Sequence, residues 1–165
     1  MKKNILVITV LLLTFALLSI PVMGKPATKI EGVTTTVMSG PPVLDGPPRS
    51  VSDGTITHAT GESDPLATVT LTIPGVDTYV GGWHTDWRAN GNWKKAPLGK
   101  GIIPSKNTMT FPEGTFVGVN QRRLTGPNPM FPTTLEDHGV YQGTGMFEGW
   151  TLKLTNGVGY IIRPK

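Results

Sequence analysis

The chain has 165 residues, no cysteine and a formal net charge of +4 at pH 7. The absence of cysteine excludes a disulfide scaffold, a cysteine-ligated zinc site, a thiol nucleophile and lipoprotein attachment through cysteine. The charge falls to +2 once Lys2 and Lys3 are assigned to a leader. Since so small a charge does not provide a surface for nucleic acid, we expect no nucleic-acid partner.

Residues 1–24 are typical of a signal peptide. Lys2 and Lys3 form the positively charged n-region, and residues 5–20 form an almost wholly apolar h-region. Val22-Met23-Gly24 places small or medium-sized side chains at the predicted cleavage site. These 16 apolar residues are fewer than the roughly 20 that a membrane-spanning helix needs. We therefore predict cleavage and a secreted or extracytoplasmic location. The alternative is an uncleaved membrane anchor.

Glycine and proline are dense in the remaining chain and leave no room for long helices. They account for 34 of residues 25–165, and the longest runs without either are Leu66–Ile73 and Trp83–Asn90, of eight residues each. A mean strand fits within such runs, whereas a mean helix of about 11 residues does not. We predict an all-β fold, a single antiparallel barrel of about eight strands over residues 49–165, with a β-sandwich as the alternative. Residues 25–48 are predicted to be a Pro/Gly-rich N-terminal arm.

Several strands and turns follow from local patterns. Ala67, Val69, Leu71 and Ile73 alternate with threonines, a period typical of a half-buried strand. Residues 107–119 contain a break at Pro112-Glu113-Gly114, and residues 50–59 contain an Asp53-Gly54 turn. Asn156-Gly157, the strongest short hairpin signal in the chain, joins residues 140–154 to residues 158–162. Residues 39–48 and 126–132 are predicted to be loops.

The segment around His84 contains a pair of polar residues that could act together. His84 and Asp86 share one strand face, while Trp83 and Trp87 share the other. A His-x-Asp pair can ligate a metal or join a base to the carboxylate that orients it. The alternative is a polar strand face backed by two core tryptophans. Because no third potential ligand follows at a spacing typical of metal sites, we predict no bound metal and treat the pair only as a candidate polar site.

The most distinctive stretch is QGTGMFEGWTLKL, residues 142–154. On an unbroken strand, its glycines share one face and a mainly apolar set shares the other. The second face supplies our candidate ligand-binding residues, which are Gln142, Thr144, Glu148 and Trp150. If Glu148 points inward, it is a carboxylate in an apolar lumen with a raised pKa, suited to acid–base work. If a bulge at Phe147–Gly149 turns it outward, it is an ordinary surface residue.

The Gly-Thr-Gly-x-Phe-x-Gly strand, together with residues 114–118 (GTFVG), resembles allene-oxide-cyclase-like and dirigent-like barrels. The resemblance covers roughly residues 107–163. It implies an eight-stranded barrel with an apolar cavity, often in a homo-oligomer. It does not imply a particular reaction, because similar barrels serve different functions.

No sequence motif identifies a reaction or a cofactor. The chain lacks the nucleophile-elbow, Walker, HExxH, CxxC and dinucleotide-binding patterns, so we expect no cofactor. Arg122-Arg123 and Glu136-Asp137-His138 are predicted to be solvated. Three functions stay open: a non-catalytic binding module for a small apolar or amphipathic ligand, a cyclase-like enzyme using the barrel cavity, and a structural or surface-interaction protein.

Overall fold

The structure is a computed structural model that describes residues 27–51, 55–93, 99–126 and 134–164. The predicted signal peptide, the Asp53-Gly54 turn and most of the loop predicted at residues 126–132 lie outside these ranges. Eleven strands occur in the described residues: β1 Ala27–Met38, β2 Val43–Leu44, β3 Arg49–Ser50, β4 Ile56–Glu62, β5 Thr68–Ile73, β6 Asp77–Trp93, β7 Gly99–Phe111, β8 Gly114–Gly126, β9 Thr134–Gly143, β10 Thr151–Thr155 and β11 Val158–Pro164.

Eight strands form a closed antiparallel barrel in the order β1, β5, β6, β7, β8, β9, β10, β11 and back to β1. The prediction of an all-β fold with an antiparallel barrel of about eight strands is confirmed. The other three strands lie beside the far half of β6. β5 pairs with the first part of β6, residues 77–82, whereas β4 pairs with residues 86–93, and β2 and β3 pair with β4.

Strand β5 has the predicted alternation. Val69, Leu71 and Ile73 are at most 1% exposed, while the threonines between them face outward and are exposed or half-buried. Burial of each such aliphatic side chain contributes about 1.5–3 kcal/mol. The hairpin between β10 and β11 is also confirmed. Its two-residue loop, Asn156-Gly157, has φ angles of 50° and 78°, the positive values that a type I′ turn requires.

The barrel begins within the segment predicted to be an N-terminal arm. β1 pairs with β11 through residues 27–34 and with β5 through residues 34–38, so it closes the barrel. Residues 27–38, predicted to be part of the arm, therefore belong to the barrel. The alternation in β1 is weak because Val33 is its one fully buried side chain. Hydrogen bonds to two neighbouring strands, rather than an apolar face, hold β1 in place.

The unbroken strand predicted for residues 142–154 is wrong. β9 ends at Gly143, a 3-10 turn spans Gly145–Phe147, and β10 starts at Thr151 and pairs back onto β9. Gly145 and Gly149 have φ angles of +64° and +78°, which residues with a Cβ rarely adopt. The glycines therefore make a turn possible, and the period-of-two argument does not apply across it.

The turn places Phe147 in the centre of an aromatic core that closes one end of the barrel. Phe147 is fully buried, stacks on Phe116 at 4.8 Å between ring centroids, and meets Tyr79 edge-on at 5.1 Å. Each such aromatic pair adds about 0.5–1.5 kcal/mol to the effect of burial. A second, smaller core lies under the far half of β6 and consists of Ala59, Trp87, Ala89, Ile103 and Leu124. No helix within the described ranges has the length and apolar character needed to cross a membrane.

Candidate functional site

The end of the barrel away from Phe147 contains a cavity of about 500 Å³. It lies beside the Asn156-Gly157 turn, where β10 ends and β11 begins, and β9 extends beyond that turn. Its wall combines apolar side chains with polar ones: Val37, Trp83 and Leu154, and Thr35, Asn120, Arg122, Asp137, Tyr141 and Asn156. A concave wall with a few converging polar groups is typical of a small-molecule site.

An ion pair is held at the rim of this cavity by the β10–β11 turn. Arg122 and Asp137 lie directly opposite each other on β8 and β9, and Arg122 Nε donates to Asp137 Oδ2 at 3.3 Å. The Asn156 side chain accepts a hydrogen bond from the Asp137 backbone N–H at 2.8 Å, and the Asn156 N–H donates to the Asp137 carbonyl at 2.9 Å. The two charged side chains are 27% and 20% exposed, so they are not the solvated groups predicted from the sequence.

Deeper in the barrel is a row of hydrogen-bonded polar side chains, which we call the polar belt: Thr85, Asn107, Asn120 and Tyr141. Thr85 Oγ1 donates to Asn107 Oδ1, and Asn107 Nδ2 donates to the Tyr141 hydroxyl at 3.3 Å. Asn120 also hydrogen-bonds this hydroxyl. All four side chains are 5% exposed or less. The belt separates the aromatic core from the open end.

Two glycines make room for the Tyr141 ring. A Cβ at Gly139 would lie 2.6 Å from the ring, and one at Gly118 would lie 2.8 Å from it. Both distances are shorter than van der Waals contact, so the ring lies against bare backbone on both sides. The glycines therefore fix the position of the hydroxyl that Asn107 and Asn120 share.

The polar belt contains an acceptor that is not satisfied. Asn120 Oδ1 is buried and has no hydrogen-bond partner among the described residues, and the same holds for Ser105 Oγ on the neighbouring strand. A buried acceptor without a partner costs about 1–3 kcal/mol. Asn120 lines the cavity, so a donor brought in by a ligand or water would relieve that cost.

Burial raises the pKa of the Tyr141 phenol above its ordinary value, and its hydrogen bonds with Asn120 and Asn107 oppose this effect. The phenol therefore keeps its proton at neutral pH. Its oxygen accepts a hydrogen bond from Asn107 Nδ2.

The predicted ligand-binding residues are not brought together in this cavity. Gln142 is exposed on the outer face of β9, where it accepts a hydrogen bond from Thr151 at 3.0 Å. Thr144 and Glu148 are exposed in the segment that links β9 to β10. Trp150 is half-buried against Phe147, at 5.6 Å between centroids, at the closed end. Of the two orientations considered for Glu148, the structure has the outward one, because the turn leaves this residue exposed.

The structure places His84 and Asp86 as the alternation predicted. Both are exposed on the outer face of β6, and His84 Nε2 lies 3.2 Å from Asp86 Oδ1. Trp83 and Trp87 point inward and are 9% and 8% exposed. The strand pairing adds a third group that the sequence analysis missed, since Glu62 on β4 lies directly opposite Asp86.

The residues of the polar belt were also missed, although a signal for them existed. Asn107 shares its strand face with the buried Met109 and Phe111, and Asn120 shares its face with the buried Phe116. An amide at an apolar position of an alternating strand indicates a buried polar group, which needs a partner.

Comparison of the chain with protein-family models, with curated proteins and with solved structures finds no match in any of the three.

Proposed function

We propose that this protein is a non-catalytic binding module that holds a small amphipathic ligand in the open end of its barrel. The observation that carries the proposal is the buried, unpartnered Asn120 Oδ1 in the wall of a cavity of about 500 Å³. A site with an unsatisfied acceptor favours a ligand that brings a hydrogen-bond donor. The eight-stranded barrel is also the fold that the resemblance to allene-oxide-cyclase-like and dirigent-like proteins implies.

The charges at the rim favour a ligand without net charge. Arg122 and Asp137 neutralise each other at 3.3 Å, and a charged ligand would have to compete with one of them for the other. Trp83, Val37 and Leu154 offer apolar surface for the body of the ligand. The expected ligand is therefore an uncharged molecule with an apolar body and at least one N–H or O–H group.

A neutral fluorescent amine tests this proposal directly. N-phenyl-1-naphthylamine has an apolar body, one N–H group and an emission that rises in apolar surroundings. Titrated into the protein, it should give saturable fluorescence and should quench the emission of Trp83 by energy transfer. Val37→Trp adds bulk at the rim, where Val37 is 42% exposed, and should weaken binding at least tenfold.

The matched control is Val119→Trp, the same substitution at a residue that is 66% exposed on the outer face. It should leave the affinity unchanged. The absence of saturable binding would contradict the proposal. Equal weakening by the two tryptophan variants would place the probe outside the barrel and would contradict it as well.

We further propose that the protein acts outside the cytoplasm after removal of residues 1–24. The proposal depends on the sequence pattern alone, with its two lysines followed by a 16-residue apolar stretch. N-terminal sequencing of protein from its own host should find a start at or near Lys25. A start at Met1 in the cytosolic fraction would contradict export.

A further inference from the structure

A second group of chemically competent side chains lies on the outer face of the barrel. Glu62 on β4 and Asp86 on β6 are direct cross-strand partners, and His84 lies two residues before Asp86 on the same face. Each side chain offers one oxygen or nitrogen atom, and these three atoms all lie within 4.8 Å of one another. The group faces away from the cavity and has no part in the proposed ligand site.

The spacing of these atoms matches that of ligands around a small metal ion. Zinc bonds to His nitrogen and carboxylate oxygen at about 2.0–2.2 Å, which places tetrahedral ligand atoms roughly 3.3–3.5 Å apart. His84 Nε2 and Asp86 Oδ1 are already 3.2 Å apart. All three side chains are exposed, so small rotations suffice to bring Glu62 to the same distance.

The two carboxylates of the group also face each other across neighbouring strands. Two carboxylates directly opposite each other on neighbouring strands repel, and such a pair destabilises a sheet. A divalent cation between Glu62 and Asp86 turns this repulsion into attraction for both. Two cations share this outer face. Lys106 on β7 is the strand partner of Asp86, and Arg88 follows Asp86 by two residues, so both offset part of the repulsion and would compete with a bound metal ion for the carboxylates.

We propose that Glu62, His84 and Asp86 bind a divalent transition-metal ion of the zinc type. The imidazole decides the class of metal, because calcium and magnesium take oxygen ligands whereas zinc accepts nitrogen. Three protein ligands leave a fourth position, which opens next to a surface groove of about 450 Å³ that Glu62 and Asp86 help to line. The fourth ligand is water or a group from a bound molecule.

Isothermal titration of ZnCl₂ into the mature chain, made without a histidine tag, tests the site. We expect one zinc ion to bind per chain in the micromolar range, with no heat from CaCl₂. The near-isosteric variants Glu62→Gln, His84→Gln and Asp86→Asn should each weaken zinc binding about 100-fold or more, since loss of even an outer partner of a metal ligand costs 10–100-fold. Co²⁺ in place of zinc should give the visible absorption of a four-coordinate site.

His58→Gln and His138→Gln are the matched controls. Both imidazoles lie on strands and hydrogen-bond to a neighbour, Asn90 at 2.8 Å and Thr155 at 3.2 Å, respectively. These variants should bind zinc as the parent does. Circular dichroism checks that every variant keeps the β spectrum. The absence of saturable zinc binding, or zinc binding that survives His84→Gln, would overturn the proposal.

Discussion

Replacement of Gly145 by valine tests how the distinctive glycine-rich segment is built. Gly145 has a φ of +64°, where a residue with a Cβ loses about 1–2 kcal/mol. A Cβ there would also lie 2.9 Å from the Glu113 carbonyl oxygen and 3.0 Å from Gly114 Cα. Neither atom can retreat easily, because the Glu113 carbonyl accepts a hydrogen bond from the Met146 N–H at 2.9 Å.

Overpacking of this kind costs about 1–3 kcal/mol, so with the cost of the positive φ Gly145→Val should lower the free energy of unfolding by about 2–5 kcal/mol in all. For a folded unit of this size the melting temperature should fall by about 6–20 °C, measured by circular dichroism. Asparagine tolerates positive φ, so Gly145→Asn separates the two causes. It should cost clearly less than valine if the backbone conformation dominates, and as much if crowding dominates.

Thr151→Val, on the neighbouring strand, is the control for the gain of an apolar side chain, because it keeps the shape of the side chain nearly unchanged. It removes an exposed hydrogen bond to Gln142 and should stay within about 0.5 kcal/mol of the parent. If Gly145→Val melts at or above the parent temperature, then neither the positive φ nor the close approach to Glu113 matters. The account of the turn would then be refuted.

Three further predictions concern the barrel wall and the site. Gly143→Ala should lose about 1–3 kcal/mol, because its Cβ would overlap the Phe147 carbonyl, whereas Gly82→Ala, with nothing within 4 Å, should be neutral or slightly stabilising; denaturant midpoints measure both. A double-mutant cycle with Arg122→Ala and Asp137→Ala should give a coupling of about 1 kcal/mol that persists in 0.5 M salt, and zero coupling would contradict the half-buried pair. Because burial raises the pKa of Tyr141, its contribution to stability should be complete below the unfolded value of about 10 and fall as pH rises from there through the raised pKa. Tyr141→Phe should flatten this part of the pH profile, and an unchanged slope would assign it to other groups.

The elements that could be predicted from the sequence are those whose signal is local. The alternation in residues 67–73 and the Asn156-Gly157 turn depend on a few adjacent residues, and both occur in the structure. β1 could not be recognised as a barrel strand because its neighbours in the sheet, β5 and β11, are distant in the chain. A strand held between two others needs few apolar residues, so its sequence resembles that of an arm.

The candidate site could not be predicted from the sequence for a similar reason, since its residues are brought together by strand register. Arg122 and Asp137 are 15 residues apart, and their pairing depends on the register of β8 against β9. Glu62 meets Asp86 only through the register of β4 against β6. Each of these residues looks like a solvated charge in the sequence, because the pattern gives the face of a residue but not its partner on the next strand.

The glycine-rich segment, residues 142–154, was predicted to supply a ligand-binding surface. In the structure it closes one end of the barrel instead. Phe147 enters from its turn between Phe116 and Tyr79, and Trp150 covers it from outside at 5.6 Å. Among the described residues that end of the barrel is filled, so the ligand that we propose would enter from the other end, past Arg122 and Asp137. The polar belt lies between the two ends, and its Asn120 is one of the residues that line the cavity at the open end. The barrel is thus closed at one end by aromatic rings and bordered at the other end by polar groups. Its shape favours a ligand that inserts its apolar body first or lies along Trp83, with its polar atoms left at the rim.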